Sequence, residues 1–274
     1  MLYLKSYCYN KHELPFLITQ LQEGYDYVDK FCIYEYNYTH TGILKDYEME
    51  KVLHLIPNKL KNKLYYCKVD LAPYIIETFN EEICHNINER IQRNWFFNDP
   101  NINLKDDDII IDVDCDEIIY KNSYKKLLQE LNNDILGIRM NLFFYKNNYL
   151  WTNNVYKSSA ICKYKTIKNK CKIVKNLKTF DLRYPKKISK GLYGCHMSWV
   201  MPVQHMVEKC YKTAHTSFRH LAKKEILEKA IIEKKYIFDL KRPFNILELS
   251  LTDYRIPKYL QKKNIFEFLL LNLT

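Results

Sequence analysis

Asp106-Asp-Asp-Ile-Ile-Ile-Asp-Val-Asp-Cys-Asp-Glu117 runs from three carboxylates into three β-branched isoleucines and out again into four more carboxylates. A short apolar β-branched run between charged flanks reads as a buried strand. Its abrupt end at Asp112 means that the backbone leaves the core there, and in open α/β sheets ligands bind at the carboxyl ends of the strands. Asp112, Asp114, Asp116 and Glu117 repel one another. Such a cluster is either solvated as an acidic surface turn or neutralised by a divalent cation. Alternation along an extended segment predicts Asp112, Asp114 and Asp116 on one side, where hard carboxylate oxygens suit Mn²⁺ or Mg²⁺.

On the N-terminal side, Leu14, Leu17, Ile18 and Leu21 fall at helical spacing, and Pro15 is tolerable in a first turn. Lys30 to Tyr36 reads as a strand that ends in the polar loop Asn37-Tyr-Thr-His-Thr-Gly42. Leu64 to Val69 reads as a further strand. Helical character extends from about Ile75 to Phe97, and Asn98-Asp-Pro-Asn101 breaks it. On the C-terminal side, Leu127, Leu128 and Leu131 predict a helix. Strands follow over 135–145 and 159–164, with the polar stretch 147–154 read as the connection between them. From Pro202 the pattern turns helical, notably over Ser217 to Tyr236. Strands alternating with helices first, and helices last, predict an α/β sandwich with a mixed central sheet and a helical C-terminal cover.

The chain of 274 residues carries 47% hydrophobic and 27% charged residues, which suits one globular domain over 1–274. Residues 1–134 hold 15 Lys and Arg against 23 Asp and Glu, whereas residues 135–274 hold 28 against 9, for an overall charge of +11. The acidic half suits a cation, and the basic half suits phosphates or another polyanion. The nine cysteines form no C-x-x-C pair and sit among apolar neighbours, as reduced core residues do. No signal-peptide run and no stretch of about 18 apolar residues occurs. The expectation is a soluble, cytoplasmic protein with no membrane span, in the host cytoplasm if the source is a virus.

Four segments in order are similar to glycosyltransferase family 17, the family of the β-1,4-mannosyl-glycoprotein β-1,4-N-acetylglucosaminyltransferase. They are Tyr25 to Glu35 with Asn37, Thr39, Thr41 and Gly42 after it; Asn88-Glu-Arg-Ile-Gln-Arg-Asn94; Asp107 to Ile118; and Gly194-Cys-His-Met-Ser-Trp199 followed by Thr213-Ala-His215. The resemblance implies a GT-A-like nucleotide-sugar-binding sandwich, a UDP-sugar donor, N-acetylglucosamine as the sugar transferred, a glycan or glycoprotein acceptor, and inversion at the anomeric carbon. Asp114-Cys-Asp116 stands where the family has its D-x-D, and Asp112 is an additional acid. The implied metal ligands are Asp114, Asp116 and His196. Arg90 and Arg93, three apart on one helical face, together with Glu35, Asn37, Asp112, Asp114 and His196, are expected to meet the donor, although a structural ion pair and a loop cap are equally ordinary fates for the arginines and Glu35. Inverting transfer needs a carboxylate base, for which Glu117, Asp181 and Glu208 are candidates.

Two other readings compete. A metal-dependent phosphodiesterase or nuclease would also use acidic clusters beside basic surface, but it needs more late carboxylates than the nine acids after residue 134 supply. A non-catalytic glycan- or polyanion-binding module would keep the fold and show steep salt dependence without need of Mn²⁺. No nucleic-acid partner is expected.

Overall fold

The computed structural model describes residues 1–75, 81–212, 216–239 and 241–261. Twelve strands are present among these: β1 (Leu2–Cys8), β2 (Lys30–Tyr36), β3 (Leu64–Val69), β4 (Ile109–Asp112), β5 (Glu117–Ile119), β6 (Leu136–Phe144), β7 (Tyr149–Tyr156), β8 (Ala160–Lys163), β9 (Lys172–Val174), β10 (Leu177–Thr179), β11 (Lys187–Ser198) and β12 (Ile246–Glu248). The helices are α1 (Leu14–Gly24), α2 (Asn58–Lys61), α3 (Glu81–Asn94), α4 (Tyr124–Glu130), α5 (Tyr164–Ile167), α6 (Val203–Lys212) and α7 (Lys224–Ile232). Thr213-Ala-His215 lies outside the described residues.

The main sheet runs β12-β7-β6-β8-β4-β1-β2-β3, with β11 beside β6 and β5 beside β11. Its first half is parallel: β1 pairs with both β2 and β4, and β2 with β3. The strands β8, β6 and β7 then continue antiparallel. This is the mixed-sheet sandwich that the sequence implies, and one sheet joins the acidic and basic halves of the chain.

Strand alternation sorts the side chains into two layers. Leu2, Leu4, Phe31, Ile33, Ile111 and Val113 face α1, whose Leu14, Leu17, Ile18 and Leu21 complete that core. Tyr3, Cys32, Tyr34, Tyr36 and Ile110 face the opposite way and pack with Phe96 and Phe180. At the far edge, Leu142, Phe144, Tyr145 and Trp151 pack under Met206 of α6 and Leu227 and Ala230 of α7, which is the helical C-terminal cover. Most of the nine cysteines are buried. No helix among the described residues is long and apolar enough to cross a membrane.

Several elements differ from the sequence reading. The N-terminal segment is the central parallel strand β1, although Lys5 and its tyrosines conceal it. Residues 149–156, read as a polar connection, form β7, because Tyr149 and Trp151 are buried while Thr152 and Asn153 face outward. The Gly-x-His segment ends a twelve-residue strand, β11. The C-terminal helical stretch is split into a 3-10 turn (Thr216–Leu221) and α7.

Candidate active site

The chain leaves β4 at Asp112 and turns immediately, with the Glu117 amide donating to the Asp114 carbonyl at 3.0 Å. That turn separates the carboxylates, so Asp112, Asp114 and Asp116 do not share one side as alternation predicts. Each has its own partner.

Asp112 accepts a 2.7 Å hydrogen bond from Lys5 Nζ, with both side chains buried. Lys5 lies directly opposite it in the β1–β4 register. Burial pulls the Lys5 ammonium below its ordinary range, and Asp112 opposes that pull. The additional acid of the cluster is thus one half of a buried ion pair.

Asp114 is clamped by two guanidinium groups, Arg93 of α3 and Arg183 of the segment after β10. Burial would raise this carboxyl, but Arg183 and Arg93 together hold it well below the usual carboxylate range. Arg93 also pairs with Glu89 at 2.8 Å. Arg90, one turn earlier, has a buried Nη2 with no hydrogen-bond partner.

Asp116 turns the other way, toward β11, where its Oδ2 lies 3.5 Å from His196 Nε2. Burial raises its carboxyl, and His196 and Lys209 outweigh that effect to leave it below its ordinary value. His196 sits opposite Glu117 in the β5–β11 register, with its ring 4.0 Å from that of Tyr156. The glycine of Gly-x-His has a clear physical reason: a Cβ at Gly194 would lie 2.2 Å from the Ile118 carbonyl oxygen. Only glycine lets the two strands approach closely enough to bring His196 beside Asp116.

Glu117 is fully buried and surrounded by donors. Ser159 Oγ lies at 2.8 Å, Arg183 Nη1 at 2.8 Å, the Asp114 amide at 2.9 Å, and the Tyr156 hydroxyl also donates to it. It anchors both the turn and Arg183, and no part of it faces open space. Glu35 is likewise buried, accepting from Lys45, the Met49 amide and Tyr66. Asn37 bonds Asp70 and the Leu71 amide. These two residues fasten the 37–49 loop to the sheet, and neither lines a cavity described below.

Asp114 and Asp116 form part of the wall of a cavity of about 80 Å³ at the carboxyl end of β1, between Tyr9 to Glu13 and helix α6. Glu208, Lys209 and Lys212 of α6 line the same cavity. It continues over Lys11, Thr39 and Lys45 into a groove of about 240 Å³. The Tyr9 hydroxyl donates to the Lys212 carbonyl at 2.9 Å and ties the wall of α6 to the first loop. The rings of His12 and His205 stack at 3.3 Å. Burial lowers both imidazoles, His12 to about 4. Burial pushes Glu13 up to about 7. A second cleft, about 340 Å³, lies beyond the Arg93–Asp114–Arg183 bridge, against Arg90, Asp181 and Tyr184.

Asp116, Glu117 and His196 offer ligand atoms within 4.8 Å of one another. Glu117 is saturated by its donors, so the available set is the oxygen of Asp116 and the nitrogen of His196, with Asp114 adjacent but held by its arginines. One carboxylate and one imidazole suit a Mn²⁺- or Mg²⁺-like ion that fills its remaining positions with water and substrate oxygens.

The partners that sequence reasoning missed are Lys5, Arg183, Tyr156, Lys209 and Lys212. A lysine inside a strand made mostly of apolar and aromatic residues was the available signal for the first; the others are brought in by tertiary packing.

No curated protein matches the chain in sequence. Among solved structures, the galactosyltransferase LgtC in complex with donor and acceptor sugar analogs matches with a TM-score of 0.35 and 10% identity. That match covers 61% of this chain and 59% of LgtC, less than two thirds of its length. The sequence profile of glycosyltransferase family 17 matches residues 8–271, and the chain belongs to that family.

Proposed function

We propose that the protein is a metal-dependent, inverting glycosyltransferase that binds a UDP-sugar in the cavity beside Asp116 and transfers its sugar, N-acetylglucosamine in our reading, to a glycan or glycoprotein. The observation that carries this is the meeting of Asp116 and His196 at 3.5 Å beside a cavity that Asp116 lines and lysines rim, at the carboxyl end of the parallel strands. Families of this kind combine a hard metal ligand set with cations because the leaving group is a diphosphate.

Asp116 and His196 would hold the ion, with Asp114 near it. The metal would supply Lewis-acid stabilisation of the departing diphosphate. Lys209 and Lys212, one helical turn apart, face the same space and complement the phosphate charge. The acceptor oxygen forms its bond to the anomeric carbon as the bond from that carbon to the diphosphate oxygen breaks. The acceptor proton passes to a carboxylate. Of the three candidate bases, Glu117 is enclosed and Glu208 stands on the side of the lysines, bonded to Lys212 at 3.2 Å. Asp181 is exposed in the second cleft, where an acceptor has room, and is the base we assign.

Titration of UDP into the protein with and without Mn²⁺, for the wild type and Asp116→Asn, tests the reading. Tight binding that needs both the metal and Asp116 is expected. UDP binding indifferent to Mn²⁺ in the wild type would sink it.

A further inference from the structure

The second cleft is built differently from the first. Asp181, Arg183 and Tyr184 border it, and the same three residues border a further cleft of about 510 Å³ that carries Lys170 and Lys186. The two spaces form one trough with Tyr184 at its centre. Tyr184 is 83% exposed and held at φ 56°. A left-handed tyrosine costs conformational energy, and an aromatic ring that displays most of its surface to water also forgoes burial. Both costs fall on one residue beside the site.

The charges of the trough are unbalanced in a specific way. Of its acids, Glu89, Asp112 and Asp134 are spent on Arg93, Lys5 and Lys187, and Asp181, the base we assign, has no cation partner among the described residues, so it offsets one of the three cations that follow. Among the described residues, Arg90, Lys170 and Lys186 have no carboxylate within ion-pair distance. Arg90 Nη2 and Arg183 Nε are buried without a hydrogen-bond partner. Buried guanidinium N–H groups left without acceptors are costly, and an arriving anion would satisfy them.

We propose that this trough is the acceptor site and that its ligand is an anionic glycan, a sugar chain bearing a carboxylate or phosphate, laid across the Tyr184 ring with its charge on Arg90, Lys170 and Lys186. This rests on the glycosyltransferase reading. Asp114 lines the donor cavity while Arg93 and Arg183 line the trough, so the two spaces meet at the Arg93–Asp114–Arg183 bridge, and the reacting end of the acceptor would reach the donor sugar over its rim.

Three tetrasaccharide probes separate the possibilities when titrated by saturation-transfer NMR at low ionic strength: neutral tetra-N-acetylchitotetraose, tetragalacturonate, and a mannose tetrasaccharide carrying a terminal 6-phosphate. At least one anionic probe is expected to bind about tenfold more tightly than the neutral one. A preference for galacturonate assigns a uronic-acid glycan, and a preference for the phosphate assigns a phosphorylated or lipid-phosphate-linked one. Arg90→Gln and Lys170→Gln/Lys186→Gln should each reduce that preference, and Tyr184→Ala should weaken all three probes alike. Neutral and anionic probes binding equally, or a preference untouched by both charge variants, overturns the proposal. Manganese-dependent hydrolysis of the UDP-sugar by the wild type reports the donor reading separately. Hydrolysis without charge preference overturns this inference alone, and absence of hydrolysis overturns the reading beneath it.

Discussion

Lys5 Nζ stands 2.7 Å from Asp112 Oδ1 and 2.7 Å from the Arg93 carbonyl oxygen, with the pair buried under α3. It joins the central strand, the strand that delivers the acidic turn and the helix that holds Asp114. Removing one partner of such a pair leaves the other charged and desolvated. Asp112→Asn should lower stability by about 3–5 kcal/mol in urea denaturation, and Lys5→Met with Asp112→Leu should recover most of it. A stable Asp112→Asn protein that no longer binds Mn²⁺ would instead make Asp112 a ligand.

Arg183 bridges Asp114, Glu117 and the Tyr156 hydroxyl through one planar group. Lysine carries the charge but cannot reach three acceptors. Arg183→Lys should therefore behave nearly like a deletion, with a loss of about 3 kcal/mol by chemical denaturation. Wild-type stability in this variant would show that charge alone matters.

Gly194→Ala puts a methyl group 2.2 Å from a backbone oxygen of β5. The strands must separate, and His196 moves with β11. A loss of more than about 2 kcal/mol in thermal unfolding is expected, together with weakened Mn²⁺ binding. An unchanged melting temperature would contradict the packing described.

Lys209 lines the cavity beside Asp116 and helps hold Asp116 ionised. Lys209→Met should weaken UDP binding by about ten- to a hundredfold, the range of one charge-assisted hydrogen bond. Calorimetry that shows no change would remove Lys209 from the phosphate site.

Glu13 rises from 4.5 to about 7 on folding because it is buried. A carboxyl raised in this way contributes stability below its unfolded value and loses it as pH rises through its folded value. Glu13→Gln removes that loss. With chelator present, its melting-temperature advantage over the wild type should grow from about pH 4.5 to 7 and then level off. A difference independent of pH would show that Glu13 is not desolvated.

The strands β2, β3, β4, β6 and β8 were legible because their apolar β-branched and aromatic residues cluster within short runs. The strands β1, β7 and β11 were not. Lys5 occupies an interior position only because Asp112 waits opposite, the asparagines of β7 face solvent, and the lysines and glycines of β11 carry no alternation. The site divides similarly. Asp114, Asp116 and His196 are tied to motifs, and the structure gathers them about one turn. The roles of Glu35, Asn37 and Glu117 as internal fasteners are set by neighbours up to tens of residues away, such as Tyr66 and Ser159, which no local pattern announces. Arg183 lies in an irregular segment, where spacing carries no information at all.

The position of β1 between β2 and β4 has a consequence for how the chain is made. Its partners on one side come within some thirty residues, but Leu2 to Lys5 pair with Ile109 to Asp112, and the Lys5–Asp112 contact spans 107 residues. During synthesis the middle strand emerges before both of its partners and keeps one edge unpaired until much of the acidic half has been produced. Long-range parallel pairing is slow, and an open apolar edge invites other chains. Yield in a cell-free system should accordingly depend on chaperones holding the nascent N-terminal third, and truncations before residue 112 should aggregate.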